Sequence, residues 1–188
     1  MARDENTYHH GDLKGAVLAE ARTLLEEGGV ASVSMREIAK RTGVTHRAIY
    51  RWYADRDALL VALAAEGFRG LSASIRAHLD RDAEGEAKDR FVRGYLEYAV
   101  ANSEIYRLAM AQSRTSLKDS ADLKAAVDEL IALSVGTLDA RSDGGRDLVM
   151  AVWAALHGLH DLYRGGLLAI RDDDALIAYA RTLTQKIR

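Results

Sequence analysis

From His46 to Arg51 the chain reads His-Arg-Ala-Ile-Tyr-Arg, with polar or aromatic tips on either side of two apolar residues. In a helix beginning near Thr45, positions 48, 49, 52 and 53 share one face, so Ala48, Ile49, Trp52 and Tyr53 turn inward with Val44. His46, Arg47, Tyr50 and Arg51 then point outward. Folding does not require that mixture of tips. A helix lying in the major groove of DNA does, because guanidinium and imidazole donors match base edges and phosphates. An ordinary solvated face is the competing interpretation.

The elements that must hold this face argue against the plain alternative. Ser34, followed three residues later by Glu37, predicts a reciprocal capping box at the start of a short helix whose apolar side is Met35, Ile38 and Ala39. Gly43 then supplies the left-handed residue that a sharp change of direction needs, and Thr45 stands where it caps a second helix. Two capped helices around a glycine turn are a helix-turn-helix.

Charge has to be read locally. The whole chain of 188 residues carries a formal net charge of -2 and a pI near 6.3. Between positions 36 and 56, however, six basic residues (Arg36, Lys40, Arg41, Arg47, Arg51, Arg56) face two acidic ones (Glu37, Asp55), a local excess of 4. Phosphate neutralisation acts over a few ångströms, so a near-neutral chain is compatible with polyanion binding.

The stretch IAKRTGVTHRAIYRWYADRDALL resembles the amino-terminal domain of TetR-type bacterial transcriptional regulators. The matching positions are Ile38, Ala39, Gly43, Val44, Tyr50, the Trp52–Tyr53 pair, Arg56, Leu59 and Leu60. The resemblance implies phosphate contacts by Arg36, Thr45, Tyr50 and Arg56 and base reading by His46 and Arg47, with Arg51 on the same face. Trp52 stands where the family often has a His or Tyr touching the backbone, which leaves it between core and groove wall. Tyr53 replaces a usually buried Phe.

Upstream, Tyr8, His9 and His10 precede Asp12, the expected cap of a first helix over residues 12–27. With Arg3 set against Asp4 and Glu5, this arm reads as a lead-in rather than a groove-binding strap. The two adjacent histidines lack further spaced ligands for a metal.

Beyond the head the pattern is helical throughout, without a single proline, and predicts an all-α fold of about nine helices. Helices are expected over 57–79, 87–101, 104–111, 120–140, 146–164 and 175–187, with a break at Gly85 and a loop over 142–145. This gives a DNA-binding head (1–56), a connecting helix (57–79) and an effector-binding and dimerisation body (80–188).

The seam Leu176, Ala180, Leu183, Ile187 suits a partner helix. Together with the 146–164 helix, which is apolar on several sides, it predicts a homodimer, as the resemblance also implies.

The run WAALHG, with Trp153, His157 and Gly158, resembles the carboxy-terminal WHG-domain subgroup of the same family. Tyr95, Tyr98, Tyr106, Met110, Trp153 and His157 are candidates to line a small-molecule effector cavity, and filled core is the alternative for each. His157, His160 and Asp161 do not amount to a metal site.

Cysteine is absent, and so are GxSxG, HExxH and glycine-rich phosphate loops, which leaves no indicator of an enzyme and none of a cofactor. The longest apolar run, residues 148–156, is too short to cross a bilayer, so a cytoplasmic protein without membrane attachment is expected. The function implied is a repressor released from a pseudo-palindromic operator by an effector. A ligand-independent regulator, or a helical interaction or catalytic domain, are the alternatives.

Overall fold

The computed structural model describes residues 13–81, 86–138 and 145–187. The arm with Tyr8, His9 and His10, the Asp12 cap, the Gly85 break and positions 142–144 of the expected loop lie outside them. Among the described residues there are nine α-helices and no strand: α1 (Leu13–Gly28), α2 (Met35–Thr42), α3 (His46–Ile49), α4 (Arg56–Leu79), α5 (Ala87–Ala101), α6 (Ser103–Thr115), α7 (Ala121–Thr137), α8 (Gly145–Arg164) and α9 (Asp173–Thr184). The all-α expectation agrees with this.

In the head, Val17, Ala21, Leu24 and Leu25 form the buried stripe of α1 at helical spacing. They meet Ile38 of α2, Ile49 of α3 and Leu59 and Leu63 of α4 in one core. A 3-10 turn at Val30–Ser32, which the sequence pattern did not signal, joins α1 to α2.

Ser34 accepts the Glu37 N–H at 3.4 Å, but the reciprocal half of the expected capping box does not form. The Glu37 carboxylate is drawn instead to Arg41, whose Nε donates to it at 3.2 Å. A full charge four residues on, in the i,i+4 register of the helix, attracts the carboxylate more strongly than one backbone N–H.

In the body, α4 is the central helix and packs on α5, α6 and α7. Phe68, Leu71 and Ile75 of α4 join Phe91, Tyr95 and Leu96 of α5 in the buried core. α4 is 24 residues long and apolar enough to span a bilayer by length and composition. The sequence reading, based on uninterrupted apolar runs, missed this because Glu66 and Arg69 interrupt the stretch. Of its most apolar window 56% is buried against the rest of the protein, as befits a core helix.

Several boundaries move. The helix expected over 104–111 extends to Ser103–Thr115. α7 is described only to Thr137, and Gly145, placed in the loop by sequence, opens α8. α9 starts earlier than expected because the Asp172 carboxylate caps it, accepting the Ala175 N–H at 2.8 Å.

The seam of α9 also has a different occupant. Leu176 and Ala180 are buried within the chain, where α9 packs on α5 and α8. Lys88 of α5 reaches the Ile187 carbonyl at 3.0 Å.

Candidate nucleic-acid interface and body cleft

The recognition segment is built by local capping. Gly43 closes α2 at φ 70°, and a Cβ there would meet nothing within 4 Å, so glycine is needed for its backbone and not for space. The Val44 N–H returns to the Ala39 carbonyl at 3.1 Å, and Thr45 Oγ1 accepts the Ala48 N–H at 3.2 Å.

α3 itself has one turn, shorter than expected. Beyond Ile49 the helix tightens: the N–H of Arg51 bonds to Ala48 at 3.2 Å and that of Trp52 to Ile49 at 3.0 Å, both i to i−3. The inward and outward faces survive the tightening. Ile49 and Tyr53 are buried, Ala48 and Trp52 half-buried, and Thr45, His46, Arg47, Tyr50 and Arg51 exposed.

Tyr50, though 45% exposed, is ordered by its neighbour, because the His46 and Tyr50 rings meet edge-on with centroids 5.0 Å apart. Among the described residues no ion pair engages Arg36, Arg47 or Arg51.

The other basic residues counted locally do different work. Arg41 donates to Glu20 at 3.0 Å and Glu27 at 2.9 Å on α1 as well as to Glu37 on α2, which raises its pKa further above the ordinary arginine value. It clamps two helices and adds nothing to a free positive patch. Lys40 lies 3.9 Å from Glu37.

Arg56, assigned to phosphate by resemblance, is half-buried and bonds to the turn before α2. Its Nε donates to the Val33 carbonyl at 2.8 Å and an η nitrogen donates to that of Val30. Asp55 caps α4 beside it by accepting the Ala58 N–H at 2.7 Å. Both contacts of Arg56 join positions more than twenty residues apart in sequence, which local reading could not find.

The effector candidates separate into two groups. Tyr95 and Tyr106 are 1% exposed and form a hydrogen-bonded chain: their hydroxyls are 2.8 Å apart, and the Tyr106 hydroxyl is 2.9 Å from His157 Nδ1. Burial pushes the Tyr95 phenol up to about 12 and the Tyr106 phenol higher still, so both stay protonated.

His157 Nε2 lies 3.5 Å from Asp161 Oδ2. His160 lies wholly buried under the Tyr106 ring, with centroids 4.6 Å apart, and its Nδ1 is 3.1 Å from Asp161. Burial lowers its pKa.

Trp153 donates from Nε1 to Ser134 Oγ at 3.1 Å, and Tyr98 is buried near Gly70 of α4. Tyr95, Tyr98 and Tyr106 are buried in the core, and Trp153 is half-buried against it.

Open space lies elsewhere. A cleft of about 710 Å³ runs between the 28–31 segment of the head and the body helices α6 and α8. Met110 and His157 line it, and the other four effector candidates do not. Arg107 and Arg114, not singled out from sequence, do. Among the described residues no cluster of three or more potential metal ligands occurs.

Comparison with known proteins places this architecture. Residues 17–63 match the description "Bacterial regulatory proteins, tetR family", and residues 89–185, more than half of the chain, match "Tetracyclin repressor-like, C-terminal domain". The HTH-type transcriptional regulator EthR of Mycobacterium tuberculosis is 22% identical over 137 residues, covering 71% of this chain and 63% of EthR. The chain thus spans less than two thirds of that relative's length.

A protein of unknown function from Rhodococcus sp. RHA1 superposes with a TM-score of 0.80 at 28% identity, covering 97% of this chain and 99% of the other. The multidrug binding protein EbrR, solved in complex with imidazole, shares the fold at a TM-score of 0.64 and 21% identity, with 93% of each chain covered. With a helix-turn-helix head, a helical body and both halves matched, the chain belongs to the TetR family of bacterial regulatory proteins.

Proposed function

We propose that this chain is a sequence-specific DNA-binding regulator whose dimer occupies a pseudo-palindromic operator and is released by a small-molecule effector. One observation carries the reading: Arg47 and Arg51 stand exposed and, among the described residues, without ion pairs beside the ordered His46–Tyr50 pair, on a segment fixed by caps at both ends. His46 and Arg47 read bases in this account, while Arg36, Thr45, Tyr50 and Arg51 meet phosphates. Trp52 borders the groove. Arg56 acts through the turn it holds.

Residues 1–56 form the head, 57–79 the connecting helix and 80–188 the body for effector and dimer contacts. The body belongs to the subgroup that the WAALHG run suggests. No catalytic step enters this account.

Outward apolar side chains support a homodimer. Met150 is 54% exposed and Leu162 42% on α8, and Tyr179 is 51% exposed on α9. A two-fold dimer also gives a helix-turn-helix the roughly 34 to 36 Å separation of successive half-sites. Sedimentation at micromolar concentration is expected to give twice the 20.6 kDa chain mass, and a species of the chain mass alone contradicts the dimer.

The test of DNA recognition is selection from a random duplex library at physiological salt, where non-specific binding is weak. An enriched inverted repeat is expected. A folded dimer that enriches nothing refutes the proposal.

A ligand-independent regulator is the second reading, favoured by the filled Tyr95–Tyr106 interior. It predicts that no compound shifts both melting temperature and operator affinity.

A further inference from the structure

We propose that the effector site is the seam between head and body, and that it takes an amphiphilic organic anion whose apolar body lies on Val30, Leu108 and Met110 and whose charged end meets Arg114. The proposal rests on the regulatory reading above and specifies its ligand and its point of action. The cleft has the volume of a small-molecule site, about 710 Å³. Its apolar wall includes Val30, which is 39% exposed where it faces this space.

The charges lining the cleft narrow the ligand class. Glu104 is paired with Arg107 at 3.1 Å, and Asp161 is held by His157 and His160. Arg114 has no ion-pair partner among the described residues and is the lining charge left to receive a ligand. His157, at the outer end of the tyrosine chain, adds an imidazole to the lining.

The position gives the ligand direct purchase on the head. One wall is the end of α1 and the turn after it, where Gly29, at φ 69°, comes so close to α6 that an added Cβ would lie 3.3 Å from Glu104. The head is fastened beside the cleft by Arg22 of α1, which donates to Glu66 of α4 and to Asn102 between α5 and α6, each at 2.8 Å. Arg41 locks α1 to α2, and α2 carries α3 through the Gly43 turn. A molecule wedged against residues 28–31 therefore pushes on α1, α2 and α3 together with the start of α4, which Arg56 ties to the Val30 and Val33 carbonyls.

The chain lacks cysteine, so one introduced thiol is a unique anchor. Ser113→Cys, on the cleft wall, is linked by disulfide to a short alkyl arm ending in a carboxylate. Parallel samples carry an arm of equal length ending in trimethylammonium, or the carboxylate arm on Lys118→Cys outside the cleft. The carboxylate arm at position 113 is expected to raise the melting temperature and to weaken binding to the library-selected duplex about tenfold or more, and added Arg114→Ala removes both effects. Equal melting and equal duplex binding for all three labelled proteins overturn the proposal. If the unlabelled protein selects no duplex, the regulatory reading fails by itself, and the thermal comparison alone decides whether the cleft takes an anion.

Discussion

The recognition face and the tyrosine chain of the body are both clusters of polar and aromatic side chains on short helical stretches, yet they differ in where their hydrogen bonds go. In the body, the Tyr95 and Tyr106 hydroxyls and the His157 ring bond to one another in sequence. On the recognition face, Arg47 and Arg51 have no ion-pair partner among the described residues, and the backbone beneath them is held by caps instead. A buried donor without a partner is strongly destabilising, whereas an exposed one is solvated at little cost. The same residue types therefore serve structure in one place and leave a contact surface in the other.

Changes in the two regions should separate stability from recognition. Tyr106→Ala is expected to have the largest effect, destabilising the fold by about 3–5 kcal/mol through cavity formation, read by denaturant unfolding, with duplex selectivity retained in the fraction that stays folded. Tyr106→Phe keeps the packing but leaves the Tyr95 hydroxyl without its partner, at about 1–3 kcal/mol. A loss of duplex selectivity with unchanged unfolding in either variant would reverse the roles assigned to the two regions.

Arg47→Ala should lower affinity for the selected duplex by about 1–3 kcal/mol and relax preference at one base position, without shifting the melting temperature. Gly43→Ala should destabilise the protein by roughly 1–2 kcal/mol, because the strain is in the left-handed backbone alone. A clash-sized loss on unfolding would show that space matters at that turn.

The smallest effect is with pH. His160 has a folded-state pKa below its ordinary value of 6.5, so the unfolded chain binds the proton first and stability falls as pH drops below about 6.5. Melting curves of His160→Gln should show a weaker decline between pH 7 and 5 than the unmodified protein. Parallel declines would remove His160 from the account.

What was legible in sequence was local. Ser34, Gly43 and Thr45 lie within a few residues of the groups they cap, and the inward positions 48, 49, 52 and 53 follow from helical period alone. Long-range pairing was not legible. Arg41 and Arg56 look like further positive charges in a basic segment until Glu20, Glu27 and the Val30 and Val33 carbonyls are brought beside them.

The same limit explains the effector candidates. Tyr95 and Tyr106 have the chemistry of a ligand wall, but the register between α5 and α6 makes them satisfy each other. Met110 and His157, with equal claims from sequence, face open space. An apolar seam such as Leu176–Ala180–Leu183 predicts a partner helix without saying whose, and the chain's own α5 and α8 supply it.

The most direct test of the central claim is equilibrium binding of the selected duplex and a scrambled duplex of the same length by the unmodified protein and by Arg47→Ala, at one salt concentration. If the exposed face reads bases, Arg47→Ala reduces the ratio of the two affinities while binding to the scrambled duplex changes little. An equal loss on both duplexes would mean that Arg47 meets only the phosphate backbone, contradicting its assignment as a base reader.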